Sequence, residues 1–456
     1  MKLKNRHIHI IGIGGISMSA IAELLKENNV ITGSDITKSD ITKKLEASGI
    51  KIFYSHRAEN LPSVTDMIIR SASIHDDNPE MMEGKKRGIK VYNRAEVLGQ
   101  IAKKYKNVIT ISGSHGKTTT TGLIATCFLN AGLEPTIHIG GILKQIKGNV
   151  KIGKNNYFIT EACEYVDSFL FIHGNTTVAL NVEPDHLDYF KTFDNLKNSF
   201  QKYLNNTRPL GLNIINADDN SLQNLKSKRK LISYGINNKY AWITARNLRK
   251  GKMSKYSFDV YLKDKKLFRV KMPLVGKHEI YNALACICVC LKYKIDCRII
   301  KNSIERYLGV KRRFEIVCSL NGAEVIHDYA HHPTEIKENI NAVKYKLRGK
   351  VIVVFQPHTY TRTKALFVEF VNSLCLSNIV FMYKIYPARE PQIPGITSDI
   401  ISDKISERGI FSKCFNNFYD LKNELKKVAR KDDIVLILGA GDIEKFCDYL
   451  IDNNWR

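Results

Sequence analysis

The chain has no apolar run approaching the ~18 residues that a membrane-crossing helix requires. It has no C-x-x-C pair among its 10 cysteines. Cys286, Cys288 and Cys290 share one apolar, helix-like stretch, where small buried hydrophobes of a reducing compartment account for them better than metal ligation does. No block of five or six like charges appears, although Lys and Arg (70) outnumber Asp and Glu (45) for a net charge of +25. With no aromatic-rich RNA motif and no zinc finger, this charge describes a diffuse lysine surface that attracts anionic substrates, not a nucleic-acid-binding face. Proline-rich linkers, short repeats and low-complexity tracts are also missing. The opening segment MKLKNRHIHIIGIGGIS sets basic residues before an apolar run, as a signal peptide does. That run is short, broken by glycine and without a small-residue cleavage site. It fits a first buried strand, and a cytoplasmic location is expected.

A length of 456 residues suits two to four domains, with three the central expectation. A hydrophobic content of 44% lets each bury its own core without disulfides. Three segments begin as a buried strand running into a glycine-rich or polar turn and then a helix: HIHIIGIGGISMSAIAELLKENN, NVITISGSHGKTTTTGLIATCFLNAG and KVIVVFQPHTYTRTKALFVEFV. A later strand is IVLILGAGD. This alternation predicts an α/β protein with mostly parallel sheets covered by helices. The expected domains are 1–105, Rossmann-like; 106–311, a central phosphate-loop domain; and 312–456, a second Rossmann-like domain.

In the first turn Gly12, Gly14 and Gly15 follow the strand, and Ser17 occupies the third glycine position of a dinucleotide fingerprint. Asp35 ends the next strand, where such folds hold a ribose hydroxyl. Bare glycine backbone lets a diphosphate approach a helix N-terminus. The pattern indicates a diphosphate-linked nucleotide and leaves NAD and a UDP-sugar equally open.

The second turn, Gly113-Ser114-His115-Gly116-Lys117-Thr118-Thr119, is more specific. Backbone N–H groups there can cradle ATP phosphates, Lys117 can meet the outer phosphates, and the Thr118 hydroxyl can ligate Mg²⁺. A strict phosphate loop would carry glycine where Ile111 stands, so this is a shortened G-x-x-G-K-T variant.

This variant loop, in a chain with an earlier GIGG turn, resembles that of the Mur ligase family, and the similarity extends over nearly the whole chain. The resemblance implies metal ligation by Glu161 in ITEACEYVDSFL and by His186 in NVEPDHLDYF, both placed at strand ends, with Thr118 as a third ligand. It assigns Ser71 and Ser73 to the sugar nucleotide, and Asn282 of GKHEIYNALA to adenine. Arg313 of KRRFE would reach the γ-phosphate and Asp328 would serve the nucleotide. Taken alone, the segment IHDYAHHPTEI invites a zinc reading through His327, Asp328, His331 and His332, but it lacks a cysteine cluster and an H-E-x-x-H spacing. By resemblance Tyr329 and His331 line an amino-acid pocket. QPHTYTRT is similar to the signature of the alanine-adding members, with Arg362 on the amino-acid carboxylate. The chain departs from the family pattern at Cys163, often aspartate, at Glu279, asparagine in the motif, and at Thr359, commonly a second arginine. Some members carry a carbamylated lysine where the stretch near Gln201 here has none.

The resemblance implies ATP-dependent joining of L-alanine to the carboxylate of UDP-N-acetylmuramate, through an acyl phosphate and a tetrahedral intermediate, with Mg²⁺ or alternatively Mn²⁺. Lys117, His186, Arg313 and His331 are the expected catalytic residues. The implied partners are these small molecules, with no nucleic acid and no membrane, and the implied state is a monomer or weak homodimer. The nearest alternative is a muropeptide-recycling ligase that adds a preformed peptide to the same nucleotide, and QPHTYTRT argues against it. A nicotinamide-dependent oxidoreductase would explain the first turn and leave the second unexplained. A non-catalytic nucleotide sensor or nucleic-acid-binding protein is the third class.

Overall fold

A computed structural model describes residues 3–71, 74–345, 347–388 and 390–452, apart from the side chains of Asp188 and Lys252. Ser73 lies outside the described residues. The strands form three sheets. The first contains β1 (His7–Ile11), β2 (Val30–Ser34), β3 (Lys51–Phe53), β4 (Met67–Arg70) and β5 (Lys90–Asn93), in the order β3-β2-β1-β4-β5. All of its pairings are parallel.

The second sheet has ten strands. They are β6 (Asn107–Ser112), β7 (Thr136–Leu143), β8 (Gly148–Lys151), β9 (Tyr157–Glu161), β10 (Thr176–Ala179), β11 (Leu212–Asn216), β12 (Lys230–Gly235), β13 (Ile243–Lys250), β14 (Lys255–Leu262) and β15 (Lys265–Val275). Their order is β15-β14-β13-β12-β11-β10-β6-β9-β7-β8. From β13 to β7 the pairing is parallel, and β8 pairs antiparallel with β7. The third sheet contains β16 (Glu315–Leu320), β17 (Ala323–Asp328), β18 (Val351–Phe355), β19 (Ile379–Tyr383), β20 (Phe411–Phe415) and β21 (Ile434–Leu438). Its order is β16-β17-β21-β18-β19-β20, with only β16 antiparallel to its neighbour.

The expected α/β class is present, and its cause is visible in the strands. VIVVF of β18 and IVLIL of β21 are buried at every residue, which requires helices on both faces. No described helix is long and apolar enough to cross a membrane. All ten cysteines are free thiols. Cys127, Cys286 and Cys290 are fully buried with sulfur contacts of 3.7 and 3.8 Å, and burial pushes Cys286 and Cys290 well above the usual thiol range. Neutral, dry thiols of this kind behave as small hydrophobes.

Two compact units divide the chain: residues 1–247, 258–270 and 281–308, and residues 248–257, 271–280 and 309–456. In the first unit the core runs without a break from the first sheet into the second. Ile8, Ile10, Val97 and Leu98 belong to the same buried cluster as Val108, Phe158, Phe169 and Phe200. Tyr105 stacks on Phe158 with ring centroids 4.9 Å apart. The sequence boundary near residue 105 therefore falls inside continuous hydrophobic packing. In the second unit two clusters cover the faces of the third sheet, one around Val325, Val354 and Phe381 and the other around Ile326, Val353 and Leu436.

Two polar or tight contacts fix the first unit near its glycine turns. His138 of β7 is 2% exposed and bonds Ser17 Oγ through Nε2 (2.8 Å) and Thr160 Oγ1 through Nδ1 (2.9 Å). The helix Arg94–Ala102 meets the segment Tyr165–Phe171 at Gly99, where an added Cβ would stand 2.2 Å from the Phe171 carbonyl oxygen.

Gly99→Ala is expected to force these elements apart and to cost about 1–3 kcal/mol of stability, read as a lower midpoint in denaturant at unchanged slope. A wild-type midpoint would refute the close approach. Burial, with repulsion from Arg94, lowers the His138 pKa to about 3. Between that value and the ordinary ~6.5 the unfolded chain binds a proton that the folded chain refuses. The stabilisation is complete above pH ~6.5 and is lost as the pH falls toward 3, at no more than ~1.4 kcal/mol per pH unit. His138→Gln should flatten this acid limb of the stability–pH curve, and an unchanged slope would contradict the assignment.

Candidate active site

β6 is buried from Val108 onward and delivers the chain to the turn Gly113–Gly116, after which the helix Lys117–Asn130 begins. Thr118 through Phe128 of that helix are buried, so the turn is anchored by a helix sealed in the core. Gly116 has φ +82°, and a Cβ there would lie 2.4 Å from Asn282 Oδ1. Only glycine fits both the left-handed backbone and this approach. Asn282 is 4% exposed, and its Oδ1 accepts from Thr120 Oγ1 at 3.2 Å. The asparagine expected at adenine thus supports the turn from beneath.

Asn181 supports the turn from the side. Its carbonyl accepts from Ser114 N (3.1 Å) and its Oδ1 from His115 N (2.8 Å), while its Nδ2 donates to His115 O (3.1 Å). Ser114 Oγ donates to Glu183 O and accepts from Glu183 N. The Ser114 and His115 amides are engaged in shaping the loop. The first-turn amides of the helix, which have no intrahelical acceptor, face the phosphate-binding role.

Lys117 Nζ donates to Glu164 Oε1 and Oε2 (2.9 and 3.0 Å), to Ser114 O (3.2 Å) and to Gly113 O. Burial opposes the charge on Lys117, but Glu164 outweighs it and raises the amine's pKa. Glu164, 1% exposed, also lies 3.7 Å from His186 Nε2. His186 stands beyond the end of β10 as the left-handed N-cap (φ 54°) of the short helix Leu187–Phe190. Its expected place at a strand end is therefore corrected to a strained turn. Its ring lies 4.7 Å from that of Tyr165, and Nε2 is 3.6 Å from Asp185 Oδ2. Glu161 does end β9, where its Oε1 accepts from Gly140 N at 2.6 Å. Burial pushes the Cys163 thiol up, so the sulfur standing for the family's aspartate is neutral. The partly buried Gln201 bonds the Lys226 backbone in both directions.

In the first turn Gly14 N donates to Asp35 Oδ2 (2.9 Å) and Thr37 N to Asp35 Oδ1 (3.0 Å). The carboxylate expected at a ribose thus holds the turn itself. Gly12 has φ +76° beside Ser71 Oγ, and Gly15 is the N-cap of the helix Ile16–Leu25.

The second unit gathers the remaining residues. Asp328 ends β17, is 8% exposed, and accepts from Phe314 N (2.7 Å) and Ala330 N (2.8 Å). Burial raises its pKa, and the charge of Arg313 opposes that rise. The Arg313 guanidinium lies 5.1 Å from the Tyr329 ring centroid. Ring contacts continue from Tyr329 to His331 (5.4 Å), His358 (6.0 Å) and Tyr386 (5.5 Å). Arg362 Nη1 reaches His358 Nδ1 at 3.4 Å. Tyr329, His331 and Arg362 thus share one neighbourhood with His358 and Tyr386, which the sequence reading did not assign to the site although His358 lies within QPHTYTRT. Glu164 and Asn181 were also missed.

A phosphate loop opening a buried helix, together with a glycine turn on a separate parallel sheet and a third α/β layer, defines a multidomain nucleotide-using enzyme. Residues 7–106 match the model of the Mur ligase family catalytic domain, 111–290 that of the Mur ligase middle domain, and 312–441 that of the Mur ligase glutamate ligase domain. The chain belongs to the Mur ligase family. It is 43% identical over 455 residues to the UDP-N-acetylmuramate–L-alanine ligase of Clostridium botulinum (strain Langeland), covering 99% of both chains. The UDP-N-acetylmuramate–alanine ligase structure from Thermotoga maritima matches with a TM-score of 0.84 at 26% identity, over 98% of this chain and 99% of that one. A murein peptide ligase from Psychrobacter arcticus shares the fold with a TM-score of 0.75 at 20% identity, over 98% of each chain.

Lys117→Ala is expected to lower turnover on the order of 10²–10³-fold, as loss of one preorganised charge does. Glu164→Gln should weaken the hold on Lys117 and reduce kcat more than it changes thermal stability. Near-normal turnover in either variant would contradict the pairing's role.

Proposed function

We propose that the chain catalyses ATP-dependent amide-bond formation between the carboxylate of UDP-N-acetylmuramate and L-alanine, in the synthesis of peptidoglycan precursors. The observation that carries this reading is the full-length 43% identity to a ligase of that name, joined to the Lys117 loop and the QPHTYTRT segment. In this reading Gly12, Gly14, Gly15, Asp35, Ser71 and Ser73 serve the sugar nucleotide. The Gly113–Thr119 turn, Asn282, Arg313 and Asp328 serve ATP. Tyr329, His331 and Arg362 receive alanine. The domains are divided near residues 105 and 311, the location is cytoplasmic, and the protein works as a monomer or weak homodimer.

The donor set suits a hard divalent cation. Thr118 offers a buried hydroxyl, Glu161 a carboxylate at a strand end, and His186 a ring nitrogen beside the Glu164 carboxylate. Thr118, Glu161 and His186 would hold Mg²⁺, which supplies charge neutralisation at the phosphates; Mn²⁺ would be accepted by the same donors.

The carboxylate oxygen of the sugar nucleotide attacks the γ-phosphorus of ATP, the bond to the β-phosphate oxygen breaks, and ADP leaves. The neutral alanine amine then attacks the acyl carbon, and phosphate departs from the tetrahedral intermediate. Both steps gather negative charge on oxygen. Lys117 and Arg313 act by stabilising that charge. Arg362 contributes a planar fork that matches the carboxylate of alanine. His186 and His331 are the two candidate proton acceptors for the amine.

The test is a product assay by mass spectrometry with ATP, magnesium and UDP-N-acetylmuramate, given either L-alanine or the preformed tripeptide. The expected result is ADP release and the alanyl amide. Preference for the tripeptide would reassign the protein to muropeptide recycling, and absence of both ADP and amide would end the ligase reading.

A further inference from the structure

Arg94 has no role in the site as described, yet its surroundings are those of an anion-binding residue. It opens the helix Arg94–Ala102, whose start is tied down by a bond from Asn93 N to Glu96 Oε2 (2.7 Å). Its guanidinium is half-buried and donates through Nη1 to Ser17 Oγ at 3.1 Å. Among the described residues it has no carboxylate partner. A partly desolvated cation without a counter-charge is costly, and a fold that keeps one beside a substrate loop has an anion as its natural complement.

The position of Arg94 narrows which anion that is. Ser17 lies in the first turn of the helix that follows Gly14 and Gly15, so Arg94 stands at the edge of the proposed sugar-nucleotide site. From Ser17 a hydrogen-bonded chain runs through His138 (2.8 Å) and Thr160 (2.9 Å) to the strand that carries Glu161. On the other side, the charge of Arg94 acts on Cys163, which also feels Lys117 and Glu164. The guanidinium therefore lies at the first glycine turn, with its charge felt at Cys163 next to Glu164. The reacting end of a substrate whose diphosphate rests at Gly14–Gly15 has to enter this region to meet a phosphoryl group at Lys117.

We propose that Arg94 binds the carboxylate of the sugar nucleotide and orients it for phosphorylation, with Ser17 fixing the guanidinium. This rests on the ligase reading above. A bidentate fork matches a carboxylate and holds its plane, which an ammonium does not do. The residue adds selectivity for a carboxylated sugar over the same nucleotide without the lactyl group.

The experiment compares UDP-N-acetylmuramate with UDP-N-acetylglucosamine, which shares the diphosphate and lacks the carboxylate, by calorimetry without ATP. Wild-type protein is expected to bind the first more tightly. Arg94→Gln should weaken the first on the order of 10–100-fold, the range for a charge-assisted bond, and leave the second nearly unchanged. That unchanged affinity also reports that the variant is folded. Arg94→Lys, which keeps the charge and loses the fork, should fall between them and covers the case in which Arg94→Gln does not fold. Equal weakening of both nucleotides would overturn the proposal by placing Arg94 on the diphosphate. Unchanged binding of both would overturn it as well. If wild-type protein bound neither nucleotide, the ligase reading itself would fall, whereas a wild-type protein that binds both without preference would overturn the Arg94 proposal alone.

Discussion

The buried pair of Lys117 and Glu164 is the constraint around which the first unit is arranged. A lysine at 18% side-chain exposure and a glutamate at 2% would each be unstable alone, because taking a single charge out of water costs several kcal/mol. Together, and with two backbone carbonyls closing on the ammonium, they hold a charged amine at the mouth of the phosphate turn. In the proposed ATP site, a triphosphate has to replace Glu164 as the partner of Lys117 or share the amine with it, and His186 lies 3.7 Å from the Glu164 carboxylate. A ligand without strong negative charge is a poor competitor for that exchange.

The elements around this pair explain why two sheets behave as one body. Gly99 lets the helix Arg94–Ala102 touch the segment that follows Glu164, and His138 ties Ser17 of the first turn to Thr160 beside Glu161. Both contacts join an element of the first sheet's layer to a segment beside Glu161 or Glu164. The shared core from Ile8 to Phe200 makes the arrangement stiff. Stiffness matters here because a carboxylate and a phosphorus atom must be held within reacting distance, and misplacement of about an ångström can cost 10²-fold in rate.

Much of this was legible in the sequence, for physical reasons. Buried parallel strands have continuous apolar runs, so NVITI, VIVVF and IVLIL announced their sheets. Gly116 and Lys117 were legible because a phosphate loop permits few residue types. Glu164 was not, since ITEACEYVDSFL offers two glutamates and only the fold shows which one faces the lysine. Ser17 was seen as a missing third glycine. In the structure it is a positive feature, the hydroxyl that links Arg94 and His138. Asp35, Asn282 and Asp328 illustrate the converse. Each was identified as a polar residue beside a ligand, and each has side-chain bonds to protein backbone or to a hydroxyl: Asp35 to Gly14 and Thr37, Asn282 to Thr120, and Asp328 to Phe314 and Ala330. Residue type and spacing locate a polar group near a site but do not say whether it points to the ligand or to the chain that supports the ligand.

Backbone strain is the part no sequence pattern could reveal. Val166, Asp167 and His186 all have φ near +50°, and Arg312, Phe314 and Thr359 occupy the left-handed region in the second unit. For a β-branched valine this is a true outlier, and such residues cost of order 1–3 kcal/mol each. They persist because their surroundings over-determine them. Asp167 receives bonds from Tyr189 and Ser199, and His186 N is held by the Asp185 carboxylate at 2.8 Å. The strained residues lie at or near Glu164, His186, Arg313 and Arg362, the groups proposed above to serve metal, ATP and alanine. A regular strand or helix would direct those side chains along its own periodicity. The left-handed turns break that periodicity, and within each unit the buried sheets supply the stability that allows it.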